Sequence, residues 1–267
     1  MNQVYENFYL SNEVEDQFNS HLDLQQFCTI DNSLVGTAGM KRIINTYRAT
    51  NGTEKLVMGA GNTKSIEVNL TDAEYEIALA QNRFEYYDEQ AMTDTNLVPV
   101  GMKHAGTDMY NTVNADIFAE FNKTGIEVPA SALDFGAFVD AVAALNIENL
   151  EGVTIFAFVH PKDVAKLRKA LKEDLKYVEA FAKTGYIGTV AGVNVYTKKD
   201  ATEGEVIVAT REAVTIFNKK GVSVEQVTEG NRSEDAANTR KNTIFSRKYY
   251  IVALTDESKA VRIKIGA

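Results

Sequence analysis

Cysteine, basic charge and long apolar runs are all scarce in this 267-residue chain. Cys28 is the single cysteine, so an intramolecular disulfide is impossible and a cysteine scaffold or zinc site is excluded by count. No apolar run is long enough to cross a bilayer, so we predict no contact with a membrane. The first 20 residues lack the basic start and apolar stretch of a secretory signal, which predicts folding in the cytoplasm.

The charge balance argues against nucleic acid as a tightly bound partner. Acidic residues number 37 and basic residues 28, which leaves a formal net charge of −9. Tight binding of nucleic acid requires clustered lysine and arginine, so such binding is disfavoured. A container for DNA is still compatible with this charge, because packaged DNA need not adhere to the wall. The length suffices for one large domain or two intertwined domains with real cores.

Sequence motifs for catalysis are missing as well. The HExxH, GxSxG and GxGxxG patterns do not occur. Residues 59–65 resemble a phosphate-binding loop, but Thr63 stands where that loop requires a glycine before the Lys-Ser pair. A flexible connector is therefore the favoured interpretation. We predict no catalytic residue, no cofactor and no metal site.

The histidines and the charge clusters have ordinary structural explanations. His21, His104 and His160 are far apart in sequence, and His160 directly precedes a proline suited to the first turn of a helix, so we interpret it as a cap. Lysines recur between residues 162 and 176 but alternate with acids, which is typical of a solvated helix face rather than a DNA-binding patch.

The N-terminal quarter predicts an arm and then a hairpin. Residues 1–35 are polar and lack a firm apolar period, so we expect an extended or partly helical arm that needs a neighbour to order it. Residues 41–50 and 53–58 favour strands, and Asn51-Gly52 between them is a strong hairpin signal. Further strands with a bend are predicted between residues 65 and 89, with a helix over part of residues 78–87 as the alternative.

Residues 96–123 carry the clearest helical pattern. Asn96 is the expected N-cap, Pro99 then falls at the third helical position, and Gly125 is a suitable stop. Such a helix is about 40 Å long, which suits a structural strut. Its apolar stripe consists of Met102, Ala105, Met109, Val113, Ile117 and Phe121.

The remainder predicts an α/β unit over residues 126–210, followed by β-structure. Residues 134–145 predict a helix, 153–159 a buried strand, and the segment from Pro161 a second helix. The apolar face of the first helix should comprise Phe135, Phe138, Val139 and Val142. The stripe of the second should comprise Val164, Leu167, Leu171, Leu175 and Val178. The later strands are expected at 193–196, 205–209, 222–227, 247–254 and 259–265.

The order of these elements and several local segments resemble one family. The segments are 61–63 leading into 74–77 and 81–89, 101–109 with 114–117, 158–168, and 185–188 with 191–196. They look like the extended loop, the spine helix and the strand-to-helix step of the major capsid proteins of tailed bacteriophages, which have the Hong Kong 97-type fold. No single motif is diagnostic, and the resemblance depends on their order over nearly the whole chain.

The resemblance implies an α+β fold with four parts. These are an N-terminal arm at 1–35, an extended loop at 36–70, a peripheral domain at 71–127 and 222–267, and an axial domain at 128–221. It also implies pentamers and hexamers that close into an icosahedral shell around double-stranded DNA. The protein would be synthesised in the host bacterial cytoplasm and located in the virion. Its expected partners are further copies of itself, a portal and a separate scaffolding protein.

The hairpin is the expected contact between subunits, because an isolated pair of strands is marginal in water. Its candidate contact residues are Arg42, Tyr47, Arg48, Glu54 and Lys55. Three alternatives stay open: an encapsulin-type nanocompartment, a small-molecule enzyme with an α/β core at 126–210, and a tail tube protein.

Overall fold

A computed structural model describes residues 22–39, 41–50, 52–147, 152–171, 188–228, 238 and 240–266. Its strands are β1 Thr29–Asp31, β2 Lys41–Ala49, β3 Val68–Glu76, β4 Ala78–Tyr87, β5 Glu127–Ala130, β6 Ile155–Val159, β7 Thr189–Val190, β8 Val193–Thr197, β9 Glu205–Thr210, β10 Val214–Thr228, β11 Lys241–Leu254 and β12 Ala260–Ile265. Its helices are α1 Asp88–Thr93, α2 Leu97–Phe121, α3 Phe135–Ala144 and α4 Pro161–Ala170, with 3₁₀ turns at Leu24–Phe27 and Glu257–Lys259.

The described strands form three sheets. One has four strands in the order β1-β10-β11-β4, and another has six in the order β5-β12-β9-β6-β8-β7. The third contains only β2 and β3, which pair antiparallel over their whole length. This mixture of helices and sheets confirms the predicted α+β class.

The long helix α2 lies on the four-stranded sheet and closely matches its prediction. Met109, Val113, Ile117 and Phe121 of the predicted stripe are buried, and Pro99 is the third helical residue. Asn96 stands at the N-cap position, as predicted, although its side chain makes no capping hydrogen bond. Among the described residues, no helix combines the length and apolarity that crossing a membrane requires.

Strand β6 positions the two main cores. All five of its residues are buried, and alternate side chains point to opposite faces of the six-stranded sheet. Phe156 and Phe158 pack against the rings of Phe27 and Phe121 on the α2 side. Ile155, Ala157 and Val159 instead join the core that α3 and α4 cover.

The predicted turn at Asn51-Gly52 was wrong. Strand β2 pairs with β3, from Lys41 opposite Glu76 to Ala49 opposite Val68, and residues 53–58 form no strand. The turn signal depends only on neighbouring residues, whereas pairing with β3 supplies nine matched positions. Residues 50 and 52–67 therefore lie in a loop at the end of a long hairpin.

Part of the predicted arm folds onto its own subunit. Leu24 donates its backbone N–H to Asn114 Oδ1 at 3.1 Å, and Asn114 Nδ2 donates to the Leu22 carbonyl at 3.3 Å. Leu24, Phe27 and Cys28 are buried, and β1 runs parallel to β10. The expectation that a neighbour must order the arm was therefore wrong for residues 22–31, and residues 1–21 lie outside the described part.

The sheets also differ from the predicted domain boundaries. Strand β12 pairs with β5 and β9 in the six-stranded sheet, although residues 222–267 were assigned to the peripheral domain. Val261 and Ile263 are fully buried in the core beneath α3 and α4, which explains this pairing. Strand β10 begins at Val214 in the four-stranded sheet, seven residues before the predicted end of the axial domain at 221.

Helix α3 buries a different face from the predicted one. Asp134 caps it by accepting the Ala137 amide at 2.9 Å, and Phe138 is buried as expected. Phe135 and Val139, however, are 52% and 44% exposed. The small residues Ala137 and Ala141 lie against the sheet instead. The predicted stripe residues Leu175 and Val178 of the next helix lie outside the described residues.

Candidate assembly site

The base of the hairpin, formed by the start of β2 and the end of β3, is anchored on its own subunit. The Arg42 guanidinium lies 5.2 Å from the centre of the Phe217 ring in the four-stranded sheet. Tyr75 packs against the small core that contains Phe217 and Ile251. Burial and, after it, the nearby Glu120 carboxylate raise the pKa of Tyr75. These contacts fix the direction in which the hairpin extends from the rest of the subunit.

Beyond its base the hairpin has only two strands, and a polar tie closes its loop. Glu54 accepts the Thr63 hydroxyl at 2.6 Å and the Thr63 backbone N–H at 2.8 Å. These two hydrogen bonds lower the pKa of the Glu54 carboxyl. Asn62 Nδ2 donates to the carbonyls of Gly52 and Lys64 at 3.4 and 3.2 Å. The residues between these ties, 55–61, form the apex of the hairpin.

The apex exposes apolar side chains. Leu56 is 48% exposed, Val57 80% and Met58 103%, and no described part of the chain covers them. Ile66 and Val68, where the loop returns to β3, are also exposed. A contiguous exposed apolar patch on a projecting element marks a contact with another molecule. Sequence reasoning missed this patch because the same residues were assigned to the second strand of the hairpin.

The five predicted contact residues have different surroundings. Arg42 is held by Phe217 of its own subunit, and Glu54 is held by Thr63 of its own loop. Lys55 is exposed in the apex. The backbones of Tyr47 and Arg48 lie in β2, whereas their side chains lie outside the described part. All five thus lie on the hairpin, but at different points along it, from Arg42 at its base to Lys55 in its apex.

One open cavity of the subunit does not resemble an active site. It has a volume of about 660 Å³ and lies between β1, the start of β6 and the turn after β9. Its described lining contains no histidine and no cysteine. The lining residues are Thr29, Ile30, Ile147, Gly152, Val153, Thr154, Thr210, Arg211, Glu212 and Lys259.

The remaining candidate groups for chemistry have structural roles. Burial raises the pKa of the Cys28 thiol to about 12, so it is a poor nucleophile. His160 Nδ1 accepts the Lys162 amide at 3.3 Å, which confirms the predicted helix cap. Asp163 is fully buried and accepts the Gly204 amide at 2.8 Å. Within the described ranges, no group of three or more histidine, cysteine or acidic side chains is arranged to hold a metal ion.

Comparison with known proteins agrees with this geometry. No family profile matches the chain. The major capsid protein of Staphylococcus phage phiMR11 is 25% identical over 171 residues, which cover 62% of this chain and 57% of that protein. The alignment thus spans just over half the length of this relative.

Solved structures resemble almost all of the chain. The mature capsid subunit of bacteriophage PhiM1 has a TM-score of 0.70 at 11% identity, covering 90% of this chain and 86% of that one. The chain has the Hong Kong 97-type capsid fold. A virus-like particle from Pyrococcus furiosus also has this fold, with a TM-score of 0.59 at 14% identity over 96% of this chain and 98% of that one.

The capsid fold accounts for two unusual elements. The hairpin that leaves the body is the extended loop of this fold, and the 25-residue helix α2 is its spine helix. The proteins that share the fold are structural subunits of capsids rather than enzymes. The exposed apex therefore belongs to the element that projects from the compact part of this fold.

Proposed function

We propose that this protein is the major capsid protein of a tailed bacteriophage. Its subunits assemble as pentamers and hexamers into an icosahedral shell around double-stranded DNA. The observation that carries the proposal is the projecting hairpin whose apolar apex is uncovered in the single chain. The name of the phiMR11 relative and the capsid fold support it.

Burial of the apex on a neighbouring subunit drives assembly in this proposal. Full burial of a side chain such as Leu56, Val57 or Met58 stabilises a contact by about 1.5–3 kcal/mol. Exposed ion pairs add only about 0–1 kcal/mol each. Tyr47, Arg48 and Lys55 contact the neighbour, while Arg42 and Glu54 contribute by holding the hairpin in shape. Many contacts of this modest strength allow wrongly placed subunits to dissociate before the shell closes.

The further partners follow from the same proposal. A portal and a separate scaffolding protein guide closure of the shell, and the enclosed DNA is held without sequence-specific binding. The net charge of −9 fits a wall that does not adhere to DNA. The protein is made in the bacterial cytoplasm and becomes part of the virion. Its peripheral and axial domains follow the four-stranded and six-stranded sheets.

The test is assembly with and without the apex. The full chain, expressed alone or with a scaffold candidate, should give shells, tubes or free capsomers by light scattering and negative-stain electron microscopy. A variant in which Gly-Ser replaces residues 53–65 keeps both strands of the hairpin and should stay folded by circular dichroism without closing shells. A full chain that stays monomeric even with scaffold contradicts the proposal, and normal shells from the variant contradict the role of the apex.

A second candidate is an encapsulin-type compartment, which encloses protein instead of DNA. The likeness to the Pyrococcus furiosus virus-like particle keeps this alternative open, although its TM-score of 0.59 is below the 0.70 of the PhiM1 capsid. The content of purified particles discriminates the two, since DNA and a portal support the phage capsid and a co-purifying enzyme supports the compartment.

A further inference from the structure

Two helices on the same face of the six-stranded sheet have opposite outer surfaces. Phe138 and Ala141 of α3, and Val164 and Leu167 of α4, pack into one core together with β6. The faces that the two helices turn towards the sheet are thus both apolar. Their outer faces point away from the same sheet and, if each subunit acted alone, should be equally polar.

The outer face of α4 is polar and basic. Lys162, Lys166, Arg168 and Lys169 are all exposed. Lys162 and Lys166 bind the Glu203 carboxylate at 2.9 and 3.2 Å. Arg168 and Lys169 stand in the last turn, where basic residues also favour the helix dipole.

The outer face of α3 is apolar. Phe135 and Val139 stand one turn apart and are 52% and 44% exposed, and the small residues Gly136 and Ala143 are exposed beside them. Asp140 is the single charged residue within the helix. A face of this kind is expected to be covered by another surface.

We propose that the outer face of α3 in one copy docks on the outer face of α4 in the next copy. This contact rests on the proposed function, and it is separate from the hairpin. Charge complementarity favours this partner, because Asp140 meets a helix whose outer face carries Arg168 and Lys169. Exposed Ala165, between the lysine stems of α4, leaves room for Phe135 and Val139.

The positions of the two helices on the sheet favour a contact that repeats around a ring of subunits. Helix α3 packs on β5 and β12 at one edge of the six-stranded sheet, whereas α4 follows β6 in the middle of the order. Two different surfaces therefore meet at each contact, and a contact of this kind forms a ring when the rotation between neighbouring copies closes. Symmetric docking of α3 on α3 is disfavoured because it would bring Asp140 of one copy towards Asp140 of the other.

Cross-linking tests the contact directly. Val139→Cys and Ala165→Cys are combined in the full chain, and assembled particles or capsomers are oxidised and run on a non-reducing gel. We expect a ladder that reaches the pentamer or hexamer. Cys28 contributes no background because its thiol is buried. Val139→Cys paired with Thr93→Cys in α1 is the matched control and should give no ladder.

Each result has a distinct meaning. Cross-linked dimers from Val139→Cys alone would show a symmetric α3 contact and overturn the proposal. Shells that form normally but give no ladder would overturn this contact and leave the proposed function intact. A chain that forms neither capsomers nor shells under any condition, with or without scaffold, would overturn both.

A charge exchange gives an independent readout. Asp140→Lys should raise the protein concentration needed for assembly by about tenfold, and adding Arg168→Glu and Lys169→Glu should restore it. Asp140→Asn, which removes the charge without reversing it, should have a smaller effect. Equal assembly by Asp140→Lys and the unmodified chain would contradict the proposed pairing.

Discussion

The hairpin and the six-stranded sheet bury their apolar residues in opposite ways. Strand β6 lies between two cores, and each of its five residues is buried. No third strand among the described residues pairs with the hairpin, and its apex leaves Val57 80% exposed and Met58 fully exposed. The six-stranded sheet is therefore stabilised by contacts within its own subunit, whereas the hairpin is stabilised by the contacts at its base and by the molecule that covers its apex.

This difference separates folding from assembly. Substitutions in the body should lower the free energy of unfolding, because they remove contacts within one chain. Substitutions at the apex should leave that free energy nearly unchanged and weaken contacts between chains instead. Four predictions, from the largest expected effect to the smallest, test this separation.

Phe158→Ala should have the largest effect on folding. The side chain is fully buried and its ring lies 5.2–6.2 Å from those of Phe27, Phe118, Phe121 and Phe156. Its removal leaves a cavity and should lower the free energy of unfolding by about 3–5 kcal/mol in urea denaturation. The matched control is Phe135→Ala, at an exposed ring, with an expected change of about 0.5 kcal/mol. Equal losses in both variants would contradict the distinction.

Met58→Ser should affect assembly and not folding. The exposed side chain contributes little in the single chain, so the free energy of unfolding should change by less than about 0.5 kcal/mol. Loss of its burial on a neighbour should weaken assembly by about 1.5–3 kcal/mol, which light scattering over a concentration series measures.

The control for the apex is Met92→Ser. Met92 in α1 is 77% exposed but lies away from the hairpin, so this change should leave both folding and assembly unaltered. An equal loss of assembly in the two serine variants would mean that general surface hydrophobicity, and not the apex, drives the contact.

Asn114→Ala should detach the segment before β1 from the spine helix. It removes the hydrogen bonds to Leu22 and Leu24 and should cost about 1–3 kcal/mol. The Cys28 thiol, buried in the same segment, should then react faster with a thiol reagent. Thr112→Ala, on the exposed side of α2, is the control. An unchanged thiol reaction rate in Asn114→Ala would contradict the idea that this side chain holds the segment.

Acidification should break the hydrogen bonds that close the hairpin loop at a higher pH than it unfolds the rest of the subunit. The hydrogen bonds from Thr63 lower the pKa of Glu54 below its ordinary value of 4.5. Their stabilising contribution is therefore fully present above that value and is lost as the pH falls through the lowered pKa. Limited proteolysis of the loop should accelerate over this range, and Glu54→Gln should show the faster cleavage already at neutral pH.

The control for this effect is Glu67→Gln, an exposed carboxylate in the same loop. It should keep the cleavage pattern of the unmodified chain at neutral pH. Faster cleavage in both variants would assign the effect to loss of charge in general and not to the tie between Glu54 and Thr63.

Much of the local structure could be predicted because its signals lie within a few residues. The spacing of apolar residues predicts α2, the apolar run predicts β6, and His160 before Pro161 predicts the start of α4. Each depends on helix periodicity, strand burial or capping, which neighbouring residues specify. The order of such elements was also sufficient for the resemblance to the capsid fold.

The wrong predictions all concern partners distant in the chain. The turn signal at residues 51–52 gave no sign that β2 pairs with β3, and nothing near Leu24 indicates that its amide binds a side chain 90 residues away. The exposed side of α3 could not be assigned either, because every residue of the helix except Asp140 is apolar or small. In each of these cases the local sequence is compatible with more than one tertiary arrangement.

The sequence by itself thus determined the main helices, the buried strand β6, the α+β class and the absence of a disulfide, since these follow from composition and short-range spacing. Only the tertiary structure decided which strands pair, which apolar residues stay exposed, and where the segment before β1 docks. The physical reason is that burial is a property of the whole arrangement. Whether Val57 or Val261 becomes part of a core depends on what the rest of the chain places beside it.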